Sequence, residues 1–251
     1  DELGDRAATL AKAGVRGVTG RYLVWGGALP YEDEIAADQP VHVGYNPAIS
    51  GLILNYNRVH FAWRRAGGGY DLSMDARGER FQPQAYTAAA QIANRKTPVY
   101  SYRADGDKEV WTVAAGALGK GGSRWLPVRR PDLYAGDVFQ TLCRAQGISL
   151  PAPQPVVQLP KGQLLAQKAS APLPVILRDM MRYSTNITAE AVGMTVSVLR
   201  GVGGGRARSG AAMSDWINKK ARMRGAGFVD HSGLNTKSRI SAADMVAALR
   251  V

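Results

Sequence analysis

SAPLPVILRDMMRYSTNITAE, residues 170–190, is the stretch from which the rest of the chain is read. Leu173, Ile176, Leu177, Met180 and Met181 recur at three- and four-residue spacing, which places them on one helix face. Ser170 followed by Pro172 makes a helix start. The apolar pattern stops at Tyr183. Polar Ser184-Thr185-Asn186 follows, and behind Thr188 a second helical pattern begins with Ala189, Val192, Val196 and Leu199. Two buried helices joined by a short polar connector are therefore expected. In an extended or turn-like connector, residues two apart share a side, so Ser184 and Asn186 can face one cleft. Taken alone, S-x-N is also a helix-capping pattern, because both side chains hydrogen-bond to backbone groups at helix ends.

C-terminal to this stretch, residues 201–205 with Arg206 and Arg208 read as a flexible link. Met213, Trp216, Ile217 and Ala221 then return to helical spacing, and Gly225 and Gly227 end that helix. Phe228-Val229 reads as a short strand whose end carries Asp230-His231-Ser232-Gly233-Leu234-Asn235. Ser241-x-x-Asp244 is a capping box opening a last helix. A polar turn between a strand end and a helix is well placed to wall a site.

N-terminal to it the pattern changes. Leu3, Ala7, Leu10 and Ala11 read as a helix closed by Gly14, and residues 18–25 as a strand of β-branched and aromatic residues between glycines. Residues 30–50 lack periodicity and predict a long loop, with Asp33, Asp38 and Tyr45-Asn46-Pro47 at the expected edge of the site. Ile53, Asn55, Asn57, Val59, Phe61 and Trp63 alternate as in extended chain until Gly67-Gly68-Gly69 breaks it. A short helix is expected at 86–93, strands near 99–103 and 110–114, and an exposed glycine-rich hairpin at 116–123. Gly119-Lys120-Gly121 in that hairpin lacks the spacing and following helix of a phosphate loop. Tyr134, Ala135, Val138, Phe139 and Leu142 form a helix stopped at Gly147. Pro151, Pro153 and Pro155 mark a boundary loop, followed by two short strands at 156–159 and 164–167. The change from β-rich to helical character puts the domain boundary at about residue 168. Residues 1–167 are expected as a β-rich region, divisible into two subdomains with the second at about 66–125, and 168–251 as a helical part.

The 251 residues are 45% hydrophobic, enough for a sizeable core in one large or two to three smaller domains. No apolar run approaches the ~18 residues that a membrane span needs. No Met-led basic and apolar leader is present, and Asp1 falls inside an expected helix, so a processed product or a fragment is expected. Cys143 is the sole cysteine, which excludes an intramolecular disulfide and fits a small apolar residue on a buried helix face. The net charge is +12, from 32 Lys and Arg against 20 Asp and Glu, which attracts polyanions of any kind. The clusters Arg64-Arg65, Arg129-Arg130 and Lys219-Lys220 with Arg222 and Arg224 read as solvated faces. Without a zinc-ligand spacing, a helix-turn-helix pattern or an aromatic-basic RNA motif, a dedicated nucleic-acid role has no support. His42, His60 and His231 are too scattered for a metal site, and no cofactor is indicated. Consecutive Asp230, His231 and Ser232 cannot line up as nucleophile, base and orienting acid.

Ser-Ala-Pro-Leu, the amphipathic helix, Ser184-x-Asn186 and Ala189-Glu190 together resemble the second active-site motif of the penicillin-recognising serine peptidases. Within these the chain is most similar to the low-molecular-mass class C penicillin-binding proteins, the D-alanyl-D-alanine carboxypeptidase/endopeptidases. The Asp230 to Asn235 segment resembles that family's D-G-S-G-L-S, with His231 in place of the usual Gly. The resemblance implies an α+β multi-domain fold: a transpeptidase-like, serine β-lactamase-like domain interrupted by β-rich insertions, with the central helix returning to the catalytic domain. It also implies a periplasmic enzyme acting on peptidoglycan stem peptides and acylated by β-lactams. By the same analogy Ser184 assists proton transfer to the leaving amine, and Asn186 hydrogen-bonds the substrate amide. Asp230, Ser232 and Gly233 wall the site. The family's nucleophile motif S-x-x-K and its K-T-G are absent from these residues, as truncation at both ends would leave them. The other function considered is a non-catalytic cell-envelope binding protein on the same scaffold, holding a polyanion or a protein partner through its basic surface.

Overall fold

The computed structural model describes residues 1–251. Helix α1 (Glu2–Lys12) is followed by strands β1 (Tyr22–Val24), β2 (Arg58–Ala66), β3 (Gly69–Asp75), β4 (Ala88–Ala93), β5 (Tyr100–Asp105), β6 (Lys108–Ala114) and β7 (Gly121–Pro127). Then come helix α2 (Pro131–Ala145), strand β8 (Pro153–Pro155) and helices α3 (Leu173–Tyr183), α4 (Asn186–Leu199), α5 (Gly205–Lys220) and α6 (Ala242–Ala248). The expected α+β class is what the molecule has.

Two three-stranded sheets lie between β1 and α2. In one, β2 is central and pairs antiparallel with β3 and β7; in the other, β6 is central, antiparallel to β5 and parallel to β4. Their inward residues join α1 and α2 in one core that includes Phe61, Trp111, Leu126, Tyr134 and Cys143, all fully buried. Each large apolar side chain removed from water there contributes roughly 2–3 kcal/mol. Cys143 is thus the buried small apolar residue expected, and burial pushes its thiol pKa up to about 11. β1 pairs in parallel with β8, which closes the segment 22–155 into a loop returning to its start. A second, smaller core joins Leu29, Ile35 and Ile49 of the long loop to Ile187 and Met194 of α4.

Several expectations are corrected. Residues 88–93 form strand β4 instead of a helix, because pairing with β6 from Ala88↔Glu109 to Ala93↔Ala114 outweighs the helix preference of Ala-Ala-Ala. The glycine-rich 116–123 segment is no hairpin: after a 3-10 turn at Ala115–Ala117 the chain crosses to the other sheet, where β7 pairs with β2. The extended run expected from residue 51 starts only at Arg58, since Asn55, Tyr56 and Asn57 all adopt left-handed conformations, φ 49°, 59° and 50°. Asn57 stabilises that turn: its Oδ1 accepts from Leu54 N at 3.0 Å and its Nδ2 donates to Ala48 O at 2.9 Å. The strands expected at 156–159 and 164–167 are absent, and only Pro153–Pro155 pairs. Phe228-Val229 is likewise no strand; a single bridge, Gly227↔Arg239, closes that loop. Arg129 is not on a solvated face but 7% exposed, whereas Arg64, Arg65, Lys219 and Lys220 are exposed.

Helix α3 departs from its expected burial. Its stripe is present, yet none of its residues is buried and Leu173 and Met181 are exposed, so only α4 of the two helices is partly cored. No Ser170 side chain caps α3; Pro172 and Pro174 set its start through their fixed φ. Ser241 does cap α6 as expected, its Oγ accepting from Asp244 N at 3.1 Å. No helix is long and apolar enough to cross a membrane.

Candidate active site

α3 ends because Ser184 turns left-handed, φ 51° and ψ 51°, a position that glycine usually fills. α4 starts two residues later at Asn186, not behind Thr188, so the connector is only Ser184-Thr185. The Asn186 Nδ2 donates to the Tyr45 carbonyl at 3.0 Å, and Thr185, the residue before α4, makes no side-chain cap. Neither side chain therefore caps α4, while Ser184 itself is the left-handed C-cap residue of α3. Ser184 and Asn186 instead share a cleft of about 150 Å³ with Tyr45, Tyr56, Arg58 and Tyr183. One side of it belongs to the α3–α4 junction. The other is the 44–58 segment, shaped by the Asn55-Tyr56-Asn57 turn.

The turn at 230–235 lies beside α4 and outside that lining. Asp230, 1% exposed, folds the turn onto itself: Oδ2 accepts from Asn235 N at 2.7 Å and Oδ1 from Ser238 Oγ at 2.9 Å. Gly233 has φ 73°, where a side chain is strained. Ser232 N donates to Glu190 Oε1 at 2.9 Å, and His231 N to the same carboxylate at 3.0 Å. Glu190, itself 0% exposed, thereby fastens the turn to α4. Burial raises its pKa above the ordinary carboxylate value, offset in part by these donors. Thr236 Oγ1 donates to Asp38 Oδ2 at 2.8 Å and joins the same turn to the long loop.

His231 has a packing role. Its Nε2 is 2.7 Å from Ser209 Oγ, which is 2.6 Å from Ser197 Oγ, and its Nδ1 is 3.2 Å from Met213 Sδ. The three residues Asp230, His231 and Ser232 thus bond in three different directions. A Cβ on Gly193 would fall inside the His231 imidazole, so α4 needs glycine there for the turn to seat. Gly193→Ala is expected to cost about 1–3 kcal/mol by overpacking. Because burial holds the His231 pKa below its ordinary value, displacing the ring should also move that pKa back up. An NMR titration of the histidine ring alongside a urea melt checks both.

The structure brings Ser184 and Asn186 into one cleft, as expected, and adds Tyr56 and Arg58, which no sequence pattern singled out, while Glu190 fastens the neighbouring turn. Paired asparagines flanking Tyr56 were a usable signal, since Asn is enriched in left-handed backbone. Tyr45, expected at the site edge, holds Asn186 through its carbonyl. His42 stacks on Tyr100 at 4.7 Å and His60 meets Trp125 edge-on at 5.2 Å.

The model of the D-Ala-D-Ala carboxypeptidase 3 (S13) family matches residues 1–251. The chain belongs to this family. No curated protein matches it. Among solved structures, penicillin binding protein 4 from Haemophilus influenzae superposes with a TM-score of 0.76 at 18% identity, covering 98% of this chain and 56% of that one. The same Haemophilus influenzae protein complexed with a novel beta-lactam gives a TM-score of 0.71 at 18% identity, with coverages of 99% and 55%. At this identity the likeness is one of fold, and the S13 chain spans little more than half the length of that relative. The resemblance carried by Ser184-x-Asn186 and the 230–235 turn named the right family.

Proposed function

We propose that these residues belong to a peptidoglycan-processing serine D-alanyl-D-alanine carboxypeptidase/endopeptidase of the bacterial periplasm. Membership of the S13 family carries the reading. In the reaction a serine oxygen attacks the carbonyl of the penultimate D-alanine, the terminal D-alanine leaves with a proton on its amine, and water then hydrolyses the acyl-enzyme. Ser184 Oγ, on the exposed left-handed end of α3, passes that proton to the leaving amine. Asn186 spends an amide N–H on Tyr45 O, which orients its Oδ1 as an acceptor for a substrate amide N–H. Asp230, Ser232 and Gly233 support the neighbouring wall without reacting. No serine of these residues has a lysine three positions later, so on this reading the nucleophile motif lies outside them. Residues 1–167 then act as the β-rich insertion, with a subdomain at about 66–125, and 168–251 as the helical part of the catalytic domain.

Extending the reading frame on both sides tests this. The extended product should contain S-x-x-K and K-T-G and be labelled by a fluorescent penicillin, whereas the 251-residue chain alone should not. In the extended protein Ser184→Ala and Asn186→Ala should slow acylation at least tenfold, the usual scale for a lost proton-transfer or orienting group. Loss of ~1 kcal/mol of stability with normal acylation would return both residues to a capping role. The absence of S-x-x-K from these residues favours one second reading, a non-catalytic envelope binding protein on this scaffold. Flanking sequence without either motif would select it.

A further inference from the structure

Arg58 is the one cation lining the Ser184–Asn186 cleft, and its surroundings differ from those of Arg129 and Arg77. Arg129 has partners at both Nη groups: it donates to Asp33 O and Asn46 O at 2.8 Å and to Val41 O at 3.2 Å, with Glu34 at 3.6 Å. Arg77 is held by both oxygens of Asp75, at 3.2 and 3.1 Å. Arg58 pairs with no carboxylate, and its side chain makes a single long hydrogen bond, Nε to Asn55 O at 3.4 Å. Both Nη groups are left without a protein acceptor.

The guanidinium is nonetheless fixed in place. It lies 5.0 Å from the centroid of Tyr56 and 5.2 Å from that of Trp125, so stacking settles its plane and leaves its edges for hydrogen bonding. The Arg58 carbonyl is tied to the buried Tyr134 hydroxyl at 3.0 Å. Tyr56 is held at φ 59°, a conformation that a tyrosine rarely keeps without a constraint. Gly44 lets the facing loop lie on this stack, since a Cβ there would be 2.9 Å from Trp125 O and 3.3 Å from Arg58 Cδ. The first residue of α4, Asn186, lines the same cleft, and the positive end of that helix has no side-chain cap.

We infer that Arg58 is a specificity-determining residue that takes a side-chain carboxylate of the peptide bound beside Asn186. Its planar fork suits the two oxygens of a carboxylate, and about 150 Å³ accommodates that group with a few flanking atoms. The inference rests on the cleft being the peptide site proposed above. It adds a preference for peptides with an acidic side chain over those with the corresponding neutral amide, located on the strand side of the cleft.

The probes are N-acetyl-D-Glu-D-Ala-D-Ala and the same tripeptide with D-Gln, titrated into the 251-residue chain by NMR. Both should perturb Asn186, and the D-Glu peptide should bind about tenfold more tightly, the scale of one hydrogen-bonded charge pair. That preference should shrink as salt is raised, a readout that needs no variant. Arg58→Gln should equalise the two peptides, and Arg58→Lys should restore part of the preference, with thermal melts confirming that each variant is folded. A preference for D-Glu unchanged in folded Arg58→Gln would overturn the inference and leave the peptide cleft standing. Should Arg58→Gln not fold, a salt-independent or absent preference in the native chain overturns it instead. Binding of neither peptide would overturn the reading of the cleft, and the inference with it.

Discussion

Glu190→Ala should destabilise the chain by about 3–5 kcal/mol, the sum of about 1–3 kcal/mol for each of two buried N–H groups left unsatisfied and the cost of the cavity. The carboxylate is fully enclosed and accepts from the backbone N–H groups of His231 and Ser232, which have no other acceptor. Removing it leaves two desolvated donors and a cavity between α4 and the 230–235 turn. Glu190→Gln keeps the volume and one acceptor oxygen, and should lose roughly half as much. The damage should also reach the cleft, because the turn is latched to the long loop through Thr236 and Asp38 and that loop holds Asn186 through Tyr45. Urea unfolding of the three proteins gives the differences directly. A loss under about 1 kcal/mol for Glu190→Ala would mean that the turn is held by its own Asp230 hydrogen bonds.

Glu109→Gln should abolish a component of the pH dependence worth about 3 kcal/mol. Glu109 is 2% exposed on β6, and burial pushes its pKa from 4.5 up to about 7, offset in part by hydrogen bonds from the Arg129 and Arg130 backbone and the Tyr102 hydroxyl. A folded-state pKa above the unfolded value means that the folded protein binds the proton more tightly. The stabilisation is then fully present below about pH 4.5 and is lost as pH rises through about 7. Glu190, Asp132 and Asp137 are shifted upward by burial as well and slope the same way. They are common to both proteins, so subtracting the Glu109→Gln curve from the native one isolates Glu109. Urea melts at pH 5 and pH 8 suffice; an equal difference at both values would show that this carboxyl is ionised at ordinary cost. Glu109 accepts from Arg129 N at 2.6 Å, and the Arg129 guanidinium donates to Asn46 O, one residue from Tyr45 of the cleft.

The helices were legible from the sequence because their information is local. The 3.6-residue period of α3, the apolar face of α2 and the Ser241 cap each involve residues within a turn or two of one another. Ser184-x-Asn186 and the 230–235 turn were legible for a different reason. They are short constellations of particular residue types, which composition and periodicity cannot disguise, and they carried the family assignment. Strand partners were not local in this sense. Whether Ala88-Ala89-Ala90 becomes helix or strand depends on β6, some twenty residues away, and β7 joins β2 only after a whole sheet has been inserted between them.

The sequence by itself determined the α+β class, the two residues at the α3–α4 junction, the buried thiol of Cys143 and the lack of a serine nucleophile with its lysine. Only the tertiary structure decided what faces that junction. Arg58 looked like an ordinary residue of an alternating strand. Three left-handed residues before it and the rings of Tyr56 and Trp125 around it turn it into an unpaired cation at the cleft. Arg129, two residues past the end of β7, looked equally solvated and is instead buried as the pin of the long loop. The physical reason is the same in both cases. A charged side chain's role is set by which acceptors surround it, and those acceptors come from segments remote in the chain whose approach only the folded packing defines.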